Sequence, residues 1–189
     1  MGELGSEYMS STATALLRLA LLFGLMVNTA QADDFALSCY YSAADNDEGL
    51  AEHANCARRD DGTLRVAPEH LRRLSFAEDD LASLGADGAM FYVNPQGATL
   101  QVPIFDNGAD YFEEGLVRGL VNGKLGYYDK HFNQVIAPKY DWGTPFDGGK
   151  AEVCVGCTRG PADADGHWSM GGGRWGVIDR TGKELQPLR

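Results

Sequence analysis

The sequence predicts a mainly β fold: an array of about three β-hairpin repeats behind a small N-terminal cap containing one or two short helices. The first supporting observation is an internal repeat. A unit opening Phe-acid-x-Gly occurs twice, 34 residues apart, as Phe112-Glu113-Glu114-Gly115 and as Phe146-Asp147-Gly148-Gly149. Each leads into a glycine-containing apolar strand, Leu125-Gly126-Tyr127-Tyr128-Asp129 and Trp175-Gly176-Val177-Ile178-Asp179. Such self-similarity marks a copied supersecondary unit, each copy burying its apolar face on its neighbours. The second observation is the punctuation. Asn122-Gly123 separates two short apolar runs, and both central positions of a type I′ hairpin turn need φ > 0, which Asn and Gly accept.

In chain order, residues 1–32 read as a secretory signal peptide. Arg18 precedes the apolar run Leu19–Val27, and Ala30-Gln31-Ala32 gives the small-residue pattern for cleavage between Ala32 and Asp33. The run is shorter than the ~20 apolar residues that cross a bilayer, so no membrane span is expected after its removal. Glu3 and Glu7 lie before Arg18, and a start at Met9 would omit both. The product is expected to be periplasmic or secreted. The net charge is −11, and losing Glu3, Glu7 and Arg18 changes it by one unit only. Acidity of this size disfavours nucleic acid, whose phosphates need Lys and Arg.

The cap spans 33–83. Pro68 opens a helix predicted over Pro68–Leu74, and the spacing of Leu81 and Leu84 predicts a second over Ala77–Leu84. The array follows in three units, 84–111, 112–145 and 146–189. In the middle unit, Leu116–Val121 and Lys124–Tyr128 form the first hairpin. Lys130–Asn133 is a second turn and Gln134–Ile136 a third strand, with Pro138 ending the pairing. Pro95-Gln96-Gly97 and Arg180-Thr181-Gly182-Lys183 hold the second-turn position in the sister units. Gly126 and Gly176 share one place beside an aromatic strand, so a β-carbon there is expected to collide with the adjacent layer. Gly172 is expected to tolerate one. Relative to its sister, the last unit carries an insertion, Thr158–Gly173.

These residues carry a resemblance. Phe112, Gly115, Val121, Gly123-Lys124, Gly126-Tyr127, Asp129, Pro138 and Tyr140-Asp141 follow a pattern similar to the WG-repeat family, named for a Trp-Gly pair. Phe146, Gly149, Val153, Arg174-Trp175-Gly176, Ile178-Asp179 and Gly182-Lys183 follow it again. Leu125 stands where the family has Trp, so the pair itself appears in Trp175-Gly176. The resemblance covers roughly residues 84–189. It implies an all-β repeat array, a loose association with binding or envelope roles, and no general catalytic site.

Four cysteines in an exported chain argue for two disulfides. Three connectivities are open; proximity favours Cys39–Cys56 and Cys154–Cys157. The latter is a C-x-x-C that continues a β run, whereas a redox site wants its first Cys at a helix N-terminus. A structural disulfide at the root of the insertion is the expected role. His53, His70, His131 and His167 show no paired metal-ligand spacing, and the acidic clusters at Asp45 and Asp163 lack the terminal Glu of a calcium loop. No catalytic, cofactor or metal site is expected. The candidate contact surface is the insertion, with Trp168, Met170, Asp163 and Asp165. The expected function is an exported, non-catalytic repeat scaffold that binds another protein in the cell envelope. Alternatives are an immunity or inhibitor protein for an envelope-acting toxin, and a thiol oxidoreductase using Cys154 and Cys157.

Overall fold

Short antiparallel hairpins dominate the described residues of a computed structural model, which are 35–45, 49–164 and 168–189. The expected signal peptide and the Ala32/Asp33 cleavage site lie outside the described residues. Strands β1 (Leu37–Ser42), β2 (Leu50–Asp60) and β3 (Thr63–Val66) form one meander. Strands β4 (Ala82–Ala86), β5 (Ala89–Val93) and β6 (Thr99–Val102) form another. Pairing of β1 with β4 joins them into a six-stranded sheet, ordered β3-β2-β1-β4-β5-β6. Its edges curl towards each other, and Thr99 Oγ1 on β6 donates to the Leu64 carbonyl on β3 at 2.9 Å. Tyr41, Leu64, Leu84, Phe91 and Val93 fill the curled sheet, together with the Cys39–Cys56 disulfide (Cα–Cα 5.7 Å).

The cap is therefore made of strands more than helices. Pro68–Leu71 forms a single helical turn, α1. Ala77–Leu84 is not helical. The Ala77 amide donates to the Leu81 carbonyl, Asp80 takes φ 59°, and the chain enters β4. Leu81 and Leu84 are both buried, one at the end of this turn and one facing inward from a strand, which imitates helical spacing. The cap covers the open edge of β4 by extending the sheet, which withdraws that edge from edge-to-edge pairing.

Further along, β9 (Val117–Val121), β10 (Lys124–Tyr128) and β11 (Gln134–Tyr140) make a three-stranded sheet. A four-stranded sheet follows, ordered β12 (Trp142–Gly143), β13 (Lys150–Val155), β16 (Arg174–Asp179), β17 (Glu184–Gln186). Two ribbons project from this frame: β7 (Ile104–Phe105) with β8 (Gly108–Ala109), and β14 (Thr158–Arg159) with β15 (Met170–Gly171). Separate apolar clusters sit between successive sheets. Leu100, Val102, Val117 and Tyr128 form one, and Leu125, Tyr127, Ile136, Tyr140, Phe146, Val153 and Ile178 form the other.

The same local chemistry recurs along the chain. Asn94 Oδ1 accepts from the amides of Gln96 and Ala98, Asp129 Oδ1 from those of His131 and Asn133, and Asp179 Oδ1 from those of Thr181 and Lys183. One carboxylate or amide oxygen thus closes each second turn. The left-handed residue in those turns is Gly97 (φ 81°), Phe132 (φ 61°) and Gly182 (φ 82°). A ring from one unit also seals the next. Tyr92 packs on Phe112 (5.2 Å) and donates to the Asp110 carbonyl at 2.8 Å; Tyr127 packs on Phe146 (4.8 Å) and donates to the Thr144 carbonyl at 2.8 Å. Burial raises both phenols, Tyr92 to about 12 and Tyr127 further. Ion pairs also tie distant segments together: Lys130 with Asp79 (2.8 Å), Arg180 with Glu114 (4.0 Å).

Two expectations at proline and glycine need correction. Pro138 does not end its strand: β11 runs on to Tyr140. The pairing slips between Leu125↔Tyr140 and Tyr127↔Ile136, so Pro138 sits in a bulge, where a missing N–H breaks no ladder bond. That bulge folds over Gly126. A β-carbon on Gly126 would lie 2.5 Å from the Ile136 carbonyl oxygen, and one on Gly176 would lie 2.7 Å from that of Gln186. The shared-place expectation for these two glycines therefore stands on backbone contact. Gly172 has open space around it but φ 67°, a conformation that costs any β-branched residue, so it is not a tolerant site.

Candidate functional site

The insertion leaves the last sheet from a fixed root. Cys154 and Cys157 are paired, with Cα atoms 6.0 Å apart, and both residues are buried. Both expected disulfide pairs are thus present. The Gly156 amide donates to Asp141 Oδ2 at 2.6 Å, and Lys124 Nζ donates to Asp141 Oδ1 at 2.5 Å. Those two donors, Lys124 first, hold the Asp141 carboxyl below the usual carboxylate range. On the return side the Trp175 indole N–H donates to the Gly172 carbonyl at 2.7 Å. Gly173 lies so close to the Gly156–Cys157 backbone that no β-carbon fits. Trp142 and Trp175, centroids 5.7 Å apart, flank Cys154 across the sheet and are half-buried.

Beyond the root, Thr158 pairs with Gly171 and Arg159 with Met170. The Arg159 guanidinium lies over the Trp168 ring, 4.1 Å from its centroid, and Trp168 remains 43% exposed. Met170 is half-buried in its strand, and Asp163 is exposed. Asp165 lies outside the described residues. The arrangement is a short ribbon that presents one indole, stiffened by a cation on its face.

Residues 126–156 match the model of a family described as the WG containing repeat. That segment of the chain is similar to a WG containing repeat. The matched WG segment runs from β10 to β13, so it takes two strands of one sheet and the first long strand of the next. It holds Tyr127, Ile136, Tyr140, Phe146, Ala151 and Val153, most of the apolar cluster between those sheets. What this WG segment specifies is a packing junction between units. No curated protein and no solved structure gives a significant match.

Three groupings were not visible in the sequence. Asp110 and Arg118, both buried, form a two-pronged ion pair at 2.8 and 2.6 Å, and Arg118 Nη1 also donates to the Gly143 carbonyl at 2.9 Å. His53 stacks on Tyr41 (3.9 Å), whose hydroxyl meets His70 Nδ1 at 2.8 Å. Burial, with His53 and Arg73 nearby, lowers the His70 imidazole pKa despite the opposing pull of Glu69. Finally, Phe105 and Tyr111, 46% and 51% exposed, meet edge to face at 5.6 Å. Only the register between units signals this last pair: Phe105 falls at the place of Tyr140, which is wholly buried.

Proposed function

We propose that the chain is an exported, non-catalytic scaffold of three WG units and an N-terminal cap, which binds another protein in the cell envelope through the insertion of its last unit. The three-fold recurrence of the Asx-closed turn at Asn94, Asp129 and Asp179 supports the count of units. The observation that carries the binding role is Trp168, a large indole kept at the surface on a ribbon whose root is fixed by a disulfide, an aspartate clamp and an indole hydrogen bond. Exposed aromatic anchors on rigid supports are what interface hot spots use. Burial of Cys154 and Cys157 leaves little sulfur for an attacking thiolate, so the oxidoreductase alternative gains no support.

The test replaces residues 158–173 by an Asn-Gly turn and compares capture from envelope extract with the intact chain and with Trp168→Ala. A partner recovered by the intact chain, lost with the shortened one and depleted with Trp168→Ala, at unchanged melting behaviour, is the expected result. Equal recovery by all three would refute the reading.

A further inference from the structure

We infer that a second surface, the cleft lined by residues 105–113 and 144–150, binds a basic peptide segment, taking an Arg or Lys side chain with its apolar neighbour. The cleft encloses about 480 Å³ and is walled by Phe105, Tyr111, Pro145 and Phe146, with Glu113 and Asp147 among its remaining lining residues. The first argument is the placement of Phe105. Where the middle unit buries Tyr140 completely, the preceding unit turns its aromatic outward on the β7–β8 ribbon. Packing does not require that exposure, and the ring lies against Tyr111, giving an edge-to-face pair open to solvent at the mouth of the cleft.

The second argument is charge. Glu113 and Asp147 are the acids of the two Phe-acid-x-Gly motifs, each in an antiparallel bridge at the base of its turn, with Leu116 and Lys150 respectively. The repeat thus brings the same acid position of two successive units to one cleft. Both are exposed, and among the described residues neither side chain is engaged in a hydrogen bond or ion pair. Asp110 in the wall is already neutralised by Arg118, so it does not compete for a ligand cation. Lys150 is the one basic residue of the lining, which leaves the rim acidic. Aromatic faces attract a cation while accepting its aliphatic stem, and two unpaired carboxylates complete its coordination. The chain's net charge of −11 would draw such a segment in. A basic segment fits both the apolar wall and the acidic rim; an acidic or purely apolar one fits only part.

The probe is a capped peptide of alternating arginine and leucine, titrated into isotope-labelled protein and followed by amide chemical shifts. Saturable shifts confined to residues 104–113 and 144–150 are expected, with at least tenfold weaker binding in Phe105→Ala and in the double variant Glu113→Gln/Asp147→Asn. A peptide with glutamate in place of arginine should produce no shifts. Both variants are surface changes whose amide spectra report whether the fold is kept. Shifts spread over the acidic surface, or equal affinity for the variants, would overturn the proposal. So would equal binding of the glutamate peptide. No described residue of 158–173 lines the cleft, so the shortened insertion tests the first surface and these variants test the second.

Discussion

Replacing Asp110 by alanine should be among the most damaging single changes in the chain. Asp110 is fully buried and Arg118 nearly so, and the pair is two-pronged. Removing one partner of such a pair costs about 3–5 kcal/mol, because the other charge is left in a medium that cannot solvate it. Arg118→Met should cost about as much, and about 1 kcal/mol more because the Gly143 carbonyl loses its donor. The double variant Asp110→Ala/Arg118→Met carries no stranded charge. Its cost should fall to about 1–3 kcal/mol, for the orphaned carbonyl and imperfect packing. For a domain of this size each kilocalorie moves the melting temperature by ~2–4 °C, so Asp110→Ala should melt ~6–20 °C lower and Arg118→Met ~8–24 °C lower. Urea denaturation followed by the fluorescence of Trp142 and Trp175 gives all four stabilities, with unchanged slopes as the check on two-state unfolding. If the two single costs simply add in the double variant, to within about 0.5 kcal/mol, the pair is not coupled and the reasoning fails.

Other outcomes follow from the same geometry. Gly126→Val and Gly176→Val should each cost more than ~1 kcal/mol, since the added carbon meets backbone that cannot move aside, and thermal melts of the two should agree. The Tyr140 hydroxyl is buried and has no hydrogen-bond partner among the described residues, so Tyr140→Phe should be neutral or stabilising by about 1 kcal/mol; a clear loss in urea stability would reveal a hidden partner. Burial pushes the Asp129 carboxyl up, but the Asn133 and His131 donors outweigh it and leave the group below the usual range. A lowered carboxyl contributes stability above the unfolded value of about 3.9 and loses it as pH falls through the folded value. Asp129→Asn keeps an acceptor, as Asn94 does naturally, so its deficit against the parent should be greatest above pH 4 and shrink below it in acid titrations.

Much of the frame was legible because repeats print themselves twice. The Asn122-Gly123 turn has both residues at positive φ (51° and 73°), and β10 spans Lys124–Tyr128 as the pattern predicts. Turn chemistry is local, so local sequence reveals it. The misses came where an outcome depended on what lies across a sheet. Leu81 and Leu84 share helical spacing but belong to a turn and a strand. Pro138 looked like a stop and proved to be a bulge, because whether a lost N–H matters depends on the facing strand. Arg118 stands in register with Ser83 and Glu152, which are exposed, so alternation places it outside; the Gly143 backbone and Asp110 cover it.

The contrast between Tyr140 and Phe105 bears most directly on function. A repeat fold specifies which positions must be buried, through contacts that recur from unit to unit: the Tyr on the next Phe, the Asx oxygen under its turn, the glycine under its bulge. Departures from that list are where function has room to act. Trp168 sits in a segment its sister units lack, and Phe105 sits where its sister side chain is inside. Neither is needed to close the array. The two surfaces also differ in chemistry: a cation already covers the Trp168 ring, whereas the Phe105–Tyr111 pair lines a cleft with Glu113, Asp147 and one base, Lys150. The first is suited to meet an apolar surface, and the second to receive a charge.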